Sequence, residues 1–277
     1  LSELKEIHIS PKNKIFAVIG GQIIIQKSNP YNDTYDIIYN SSKKIEHVII
    51  PSYIKTIGQC AFQNCENINS FEFSENSQLE TIESSAFINS SITKIIIPEN
   101  VKLIEESAFN NCSKLQTVEI SRNVSIIERQ SFFNCENLKE VTFAKDCQLK
   151  SITEELFLNT SIENIVIPKH VQSIGVKAFG FCPLFNITFE EQSILKTIKR
   201  SAFYKTGITE LKLPGTVEKL EPGWCKYMNQ LKEVSFTAPN HHFKVLDNKI
   251  ILGKSKHIFD SVLNEDEDTF DVLVFAP

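Results

Sequence analysis

Seven cysteines, six histidines and one acidic run are the side chains here that could carry chemistry. Thiolates act as nucleophiles, and with imidazoles they hold zinc, which requires ligands in closely spaced sets. No Cys or His set has that spacing. Cys65, Cys112, Cys135 and Cys182 instead share one position of a recurring phrase, where Ser90, Thr160 and Thr206 stand in other copies. A position that accepts Cys, Ser or Thr requires a small, buried, weakly polar side chain, so these read as free thiols lining a core. Cys112 and Cys135 fall in adjacent copies, so a disulfide between them is open but not demanded. His8 and His47 fall on neighbouring expected strands and could meet as a metal pair; two solvated histidines is the simpler reading. His241-His242 has no spaced partner. The run Glu265-Asp266-Glu267-Asp268 lacks the glycine and alternating ligands of a calcium loop and reads as solvated. No nucleophile elbow, phosphate loop or catalytic carboxylate pair occurs. The sequence therefore predicts no enzyme, no metal site and no cofactor.

Sequons are the other chemical signal. They occur at Asn32, Asn40, Asn89, Asn111, Asn123, Asn159 and Asn186. Asn89, Asn111 and Asn159 share a repeat column with Asn64 and Asn134, just before the Cys/Ser/Thr position. Asn suits a turn with left-handed backbone there. Those three sequons read as by-products of a structural column; Asn32, Asn40 and Asn123 are the better glycan candidates.

What must position these residues is a repeat. The phrase apolar-x-x-Ile-x-x-x-Ala-Phe-x-x-Cys recurs with its aromatic at Phe62, Phe87, Phe109, Phe132, Phe157, Phe179, Phe203 and Trp224, in steps of 21 to 25 residues. Such a period marks a solenoid. Between copies lies a triplet such as Leu115/Val118/Ile120 or Ile162/Ile165/Ile167. Its last two members alternate with polar residues, as in half-buried strands. A further triplet, Leu4/Ile7/Ile9, opens the chain. Ile57, Ala61, Phe62 and Cys65 stand at i, i+4, i+5 and i+8, a helical spacing that predicts a short helical turn opposite each strand. The expected fold is thus a right-handed repeat solenoid of about ten coils. It has a concave parallel sheet and short helical turns on the convex side.

Two nested motifs, around Phe16–Ile38 and Phe243–Leu273, read as inserted β-meanders, with Gly20-Gly21 and Asp247-Asn248 at their turns. The expected division is residues 1–44, a repeat strand plus the first meander; 45–237, the array; and 238–277, the second meander, which could lead into further repeats. The opening residues resemble neither an initiator Met nor a signal peptide, so the chain reads as a piece of a longer protein. With net charge −5 and pI about 5.8 it has no global electrostatic footprint for nucleic acid, and it carries no apolar run long enough to span a membrane.

The phrase resembles the BspA-like, or treponemal-type, leucine-rich repeats. The family pattern stands nearly unchanged at Ile97-Pro98, Val101, Ile104, Ala108-Phe109, Cys112 and Leu115. The last coil departs from it, with Trp224 in place of Phe and one residue fewer. The resemblance implies cell-surface or secreted proteins of host-associated microbes, involved in adhesion to host cells, matrix proteins or other microbes. The partner it implies is a protein. A structural spacer that projects another adhesive domain, or an intracellular scaffold, is the alternative. In the strands, alternation turns one row outward. Ile49, Glu72, Ile96, Glu119, Thr142 and Val166 in that row are the expected protein-binding residues, centred on Ile96.

Overall fold

The computed structural model describes residues 4–247, 250–254 and 270–275. The Glu265–Asp268 run and Asn248 of the second meander's turn lie outside them. The described residues form a β-solenoid of about nine turns. Each coil contributes one long strand, from His47–Ile50 and Ser70–Phe73 through Lys94–Ile96 to Glu233–Phe236. Each also contributes a two-residue strand, such as Thr56–Ile57, Leu103–Ile104 or Thr197–Ile198. Both sets pair in parallel with neighbouring coils, for example Thr117 with Glu140 and Thr56 with Thr81. The short set was not anticipated: Ile57 and its equivalents belong to a second β ladder.

The expected helical turns do not form, and no helix occurs among the described residues. The reason lies in backbone handedness. Each coil carries two residues of positive φ: Cys60 (58°) and Asn64 (57°), Ser107 (58°) and Asn111 (61°), Gln130 (57°) and Asn134 (56°). One left-handed residue ends a helix, so two per coil leave no room for one. The run folds as successive turns instead. Ala61, Gln63 and Cys65 donate N–H to Gly58, Cys60 and Phe62, three residues back. The N–H groups between them, on Cys60, Phe62 and Asn64, donate to carbonyls of Ser84, Ala86 and Ile88 in the next coil. Alternate amides thus close the coil and join it to its neighbour, so the buried backbone is satisfied without a helix. This run reproduces helical sequence spacing because it also turns the chain tightly.

The Ala-Phe pair sits at the centre of the core, with Ala61, Phe62, Ala108, Phe109, Ala202 and Phe203 fully buried. The Phe rings from Phe62 to Phe203 stack face to face, with centroids 4.9–5.9 Å apart and planes within 19°. These distances track the strand spacing. Trp224 ends the stack, meeting Phe203 edge-on at 85°.

At the start of the chain, the Leu4/Ile7/Ile9 triplet forms no strand. Ile7 is buried and its N–H binds Gly21 O at 2.6 Å. The first meander, Phe16–Ile19, Ile23–Gln26 and Ile37–Ser41, turns through Gly20 and Gly21, both of positive φ. Its last strand pairs in parallel with Thr56–Ile57, so the meander continues the short ladder and covers the first coil. The second meander comprises Phe243–Leu246, Ile250–Lys254 and Phe270–Phe275. No described helix is long and apolar enough to cross a membrane.

Because Phe62 contacts both Phe87 and Phe71, the first ring of the stack is as enclosed as a central one. Phe132→Ala and Phe62→Ala should therefore each cost about 3–5 kcal/mol in denaturant unfolding. A loss below about 1 kcal/mol at Phe132 would show that the stack is not the core.

Candidate functional site

The thiols are structural. All seven cysteines are free, so Cys112 and Cys135 form no disulfide. The Sγ atoms of Cys112, Cys135 and Cys182 lie 3.0–3.1 Å from the carbonyls of Phe87, Phe109 and Phe157, each one coil back. Thr160 and Thr206 place their hydroxyls 3.0 Å from the carbonyls of Phe157 and Phe203. The column thus requires a small donor for the carbonyl that follows the stacked ring. Cys147 belongs to a second small column with Ser77 and Ser193, buried in the long coils. Burial pushes the Cys135 thiol well up and the Cys182 thiol to about 11. Such thiols hold little thiolate at neutral pH and are poor nucleophiles.

The histidines are engaged separately. His8 is exposed and lies 3.5 Å from Glu6, and His47 Nδ1 lies 2.9 Å from Ser70 Oγ. Among the described residues no group of three or more His, Cys, Asp or Glu is placed to hold a metal.

Asn64, Asn89 and Asn111 form a side-chain ladder on the turn face. Asn89 Nδ2 donates to Asn64 Oδ1 at 2.9 Å, and Asn111 Nδ2 to Asn89 Oδ1 at 2.7 Å. Asn159 repeats the bond to Asn134 at 3.0 Å. Four of the sequons therefore use their amide nitrogen in the scaffold, since Asn123 Nδ2 also donates, to Glu99 O at 2.8 Å. Asn32 and Asn123 are exposed, whereas Asn40 is half-buried on the strand Ile37–Ser41.

The long strands present the outward row in register. Ile49 lies beside Glu72, Ile96 beside Glu119, Glu119 beside Thr142, and Val166 beside Thr188. Ile49, Ile96 and Val166 are more than half exposed, while Ile95 next to Ile96 is buried. Glu119 is not a free acid: its carboxylate pairs with Lys94 at 2.7 Å.

This ladder is interrupted. The nine long strands divide into groups of two, three, two and two. Each break follows a strand that ends in Phe: Phe73, Phe143 or Phe189. Those coils carry extra residues, and each adds a third positive-φ residue, Asn76, Asp146 or Gln192. The longer path offsets the next strand and opens a cleft. Between Ser70–Phe73 and Lys94–Ile96 the cleft measures about 810 Å³. Phe71 and Phe73, half-buried, form its apolar wall, and Ile96, Glu72 and Lys94 stand at its rim. A smaller cleft of about 530 Å³ opens between Glu140–Phe143 and Asn164–Ile167, with Thr142 and Val166 in its lining. Neither was visible from the repeat pattern alone; the uneven coil lengths were the signal.

Parallel stacked strands around a continuous core define a repeat solenoid. The chain belongs to the BspA-type leucine-rich repeat family, whose model matches residues 34–149 and 150–250 in six copies. Repeats of this family are typically non-enzymatic recognition modules, and the family suggests protein-interaction or adhesion roles in general. Among solved structures, a leucine-rich cell surface protein of Faecalibacterium prausnitzii is similar at 19% identity with TM-score 0.58. The match covers 90% of this chain and 60% of that one. The pneumococcal vaccine antigen PcpA aligns at 21% identity with TM-score 0.48, over 88% of this chain and 55% of its own. This chain thus spans little more than half the length of either protein. No curated protein matches it.

Raised thiol pKa values link the column to alkaline stability. A group whose folded pKa lies above its unfolded value stabilises the fold below the unfolded pKa; that contribution disappears as pH rises through the folded one. For Cys182 the window runs from its ordinary 9.0 to about 11. The loss over that window amounts to about 2–3 kcal/mol. Cys182→Thr, which installs the residue found at Thr160 and Thr206, should remove that part of the alkaline loss in unfolding free energies measured from pH 8 to 11. Identical pH profiles for the two proteins would contradict the assignment.

Proposed function

We propose that this chain is a recognition module of a cell-surface or secreted protein. In this reading it binds a protein partner through the strand face, taken as the concave side of the array. The partner class is a host matrix protein, a host cell-surface protein or a surface protein of another microbe. The observation that carries the proposal is the cleft beside Ile96. There an exposed isoleucine, half exposed at 52%, meets two half-buried phenylalanines where the strand ladder is broken. Buried apolar anchors dominate interface energy, and an uncovered apolar point at a cleft is where one can form. Glu72 stands exposed at the same rim without an ion pair among the described residues, whereas Glu119 is neutralised by Lys94. The fitting partner therefore offers an apolar side chain for the cleft and a cation for Glu72. Ile49 and Val166 extend the face to either side, and Thr142 lines the second cleft. Asn32, exposed in a loop, is the foremost proposed glycan site; Asn123 is exposed but its Nδ2 donates to Glu99 O at 2.8 Å, and Asn40 is less accessible.

The test is a screen of this fragment against matrix proteins and host cells, repeated with Ile96→Asp. The variant should lose binding by at least tenfold while its melting temperature stays within about 2 °C, because the side chain lies outside the core. Unchanged binding by a folded Ile96→Asp protein would remove the strand face from the account.

A further inference from the structure

The Asn column of the turn face changes character in the last coils. The positions of Asn64, Asn89, Asn111, Asn134 and Asn159 are occupied there by Phe181, Lys205 and Tyr227. The backbone does not change with them: φ is 59° at Phe181, 56° at Lys205 and 61° at Tyr227. Asn reaches this left-handed conformation easily, whereas a bulky side chain does so at a cost. Five coils use the easy residue, and two of the last three place an aromatic ring there instead. Packing does not account for the change, since Phe181 and Tyr227 are 48% and 50% exposed.

The rings form a strip with Tyr204. Phe181 lies 5.2 Å from Tyr204, and Tyr204 lies 5.2 Å from Tyr227, one contact per coil. Ammonium groups sit on the strip. Lys205 Nζ lies 5.0 Å from the Phe181 ring centre and 5.7 Å from that of Tyr204, and Lys226 Nζ lies 5.2 Å from Tyr227. Cation–π contact holds these long side chains in place, so two positive charges stand at fixed positions one coil apart. Arg200 and Lys199 lie on the same run of chain, exposed and without an ion pair among the described residues. A nearby acid, Glu221, accepts the backbone N–H of Arg200 at 3.0 Å and lies 3.9 Å from Lys219. In a chain of net charge −5, this is a local basic strip that the total charge hides.

We infer that the Phe181–Tyr204–Tyr227 strip is a second binding site, one that takes an anionic polysaccharide. Sulfate or carboxylate groups would pair with Lys205 and Lys226, and sugar hydroxyls with the Tyr204 and Tyr227 hydroxyls. Three features favour this ligand over other polyanions. The ammonium groups lie over the ring faces, where stacked nucleobases would need bare rings. Insertion into lipid would carry those charges into the hydrocarbon. The charges are set in a row across successive coils, which suits a linear polymer with anions at regular intervals. The site is independent of the strand face.

Retention on immobilised heparin in a salt gradient tests the proposal. The substitutions Phe181→Asn with Tyr227→Asn restore the column's own residue, so the fold should hold or gain stability, as a thermal melt checks. The protein should be retained at low salt. Lys205→Gln with Lys226→Gln should weaken heparin binding about tenfold or more. The double Asn variant should weaken it as well, because the lysines lose their rings. Ile96→Asp should leave heparin binding unchanged, which separates this site from the strand face. Flow-through of the unmodified protein, or unchanged retention of both double variants, would overturn the proposal. So would equal or tighter binding to single-stranded DNA, polyglutamate or phosphatidylserine vesicles.

Discussion

Everything in this molecule depends on how the turn face satisfies its backbone. A coil returning to its own strand column must bury several amides that no strand pairs. Leaving them unpaired would cost more than the fold can bear. The chain alternates instead: one N–H closes the coil three residues back, the next reaches the adjacent coil, as Phe62 does to Ala86 and Phe109 to Ser131. On the strand side the donors run the other way, with Asn69 N–H reaching back to Glu46 and Gln116 to Thr93. This two-sided ladder sets the rise per coil, and that rise brings the Phe rings into face-to-face contact. The thiol column follows from the same geometry, since the carbonyls of Phe87, Phe109 and Phe157 each accept a thiol from the coil ahead.

Coil length then decides where surface features appear. Short coils keep the long strands in register. Long coils spend their extra residues on a further left-handed position, and the strand pairing fails beyond it, as it does between Ser70–Phe73 and Lys94–Ile96. The clefts are therefore a consequence of uneven repeats, and they occur at points where the scaffold has given up backbone bonds. The turn face has a different freedom. Its exposed column sits outside the core, so it carries a hydrogen-bonded Asn ladder in the first coils and an aromatic, basic strip in the last.

Much of this was legible in the sequence. The Phe column, the Cys/Ser/Thr column and the outward set of Ile49, Ile96 and Val166 all follow from residues compared at equal positions. The helical turns did not survive because the spacing of Ile57, Ala61, Phe62 and Cys65 fits any tight return of the chain. The Asn at position 64 and its equivalents signalled left-handed backbone, and two such residues per coil exclude a helix. The non-Asn members of the other left-handed column, such as Gln130 and Glu155, gave no such signal. Leu4/Ile7/Ile9 has the right triplet but forms no strand: Ile7 is buried against the meander turn instead, with its N–H on Gly21. The clefts were hidden because they depend on three-dimensional offset rather than on residue type.

The central claim, that left-handed turns and inter-coil bonds replace helices, is tested most directly at Asn134, where φ is 56°. Both Asn134→Gly and Asn134→Ala remove the side chain that accepts from Asn159, so their difference isolates the backbone. At a left-handed position Gly should be the more stable of the two by about 1 kcal/mol in denaturant unfolding, because it has no Cβ to clash. In a helix the order reverses, with Ala favoured by about 1 kcal/mol. A more stable Ala variant would contradict the account.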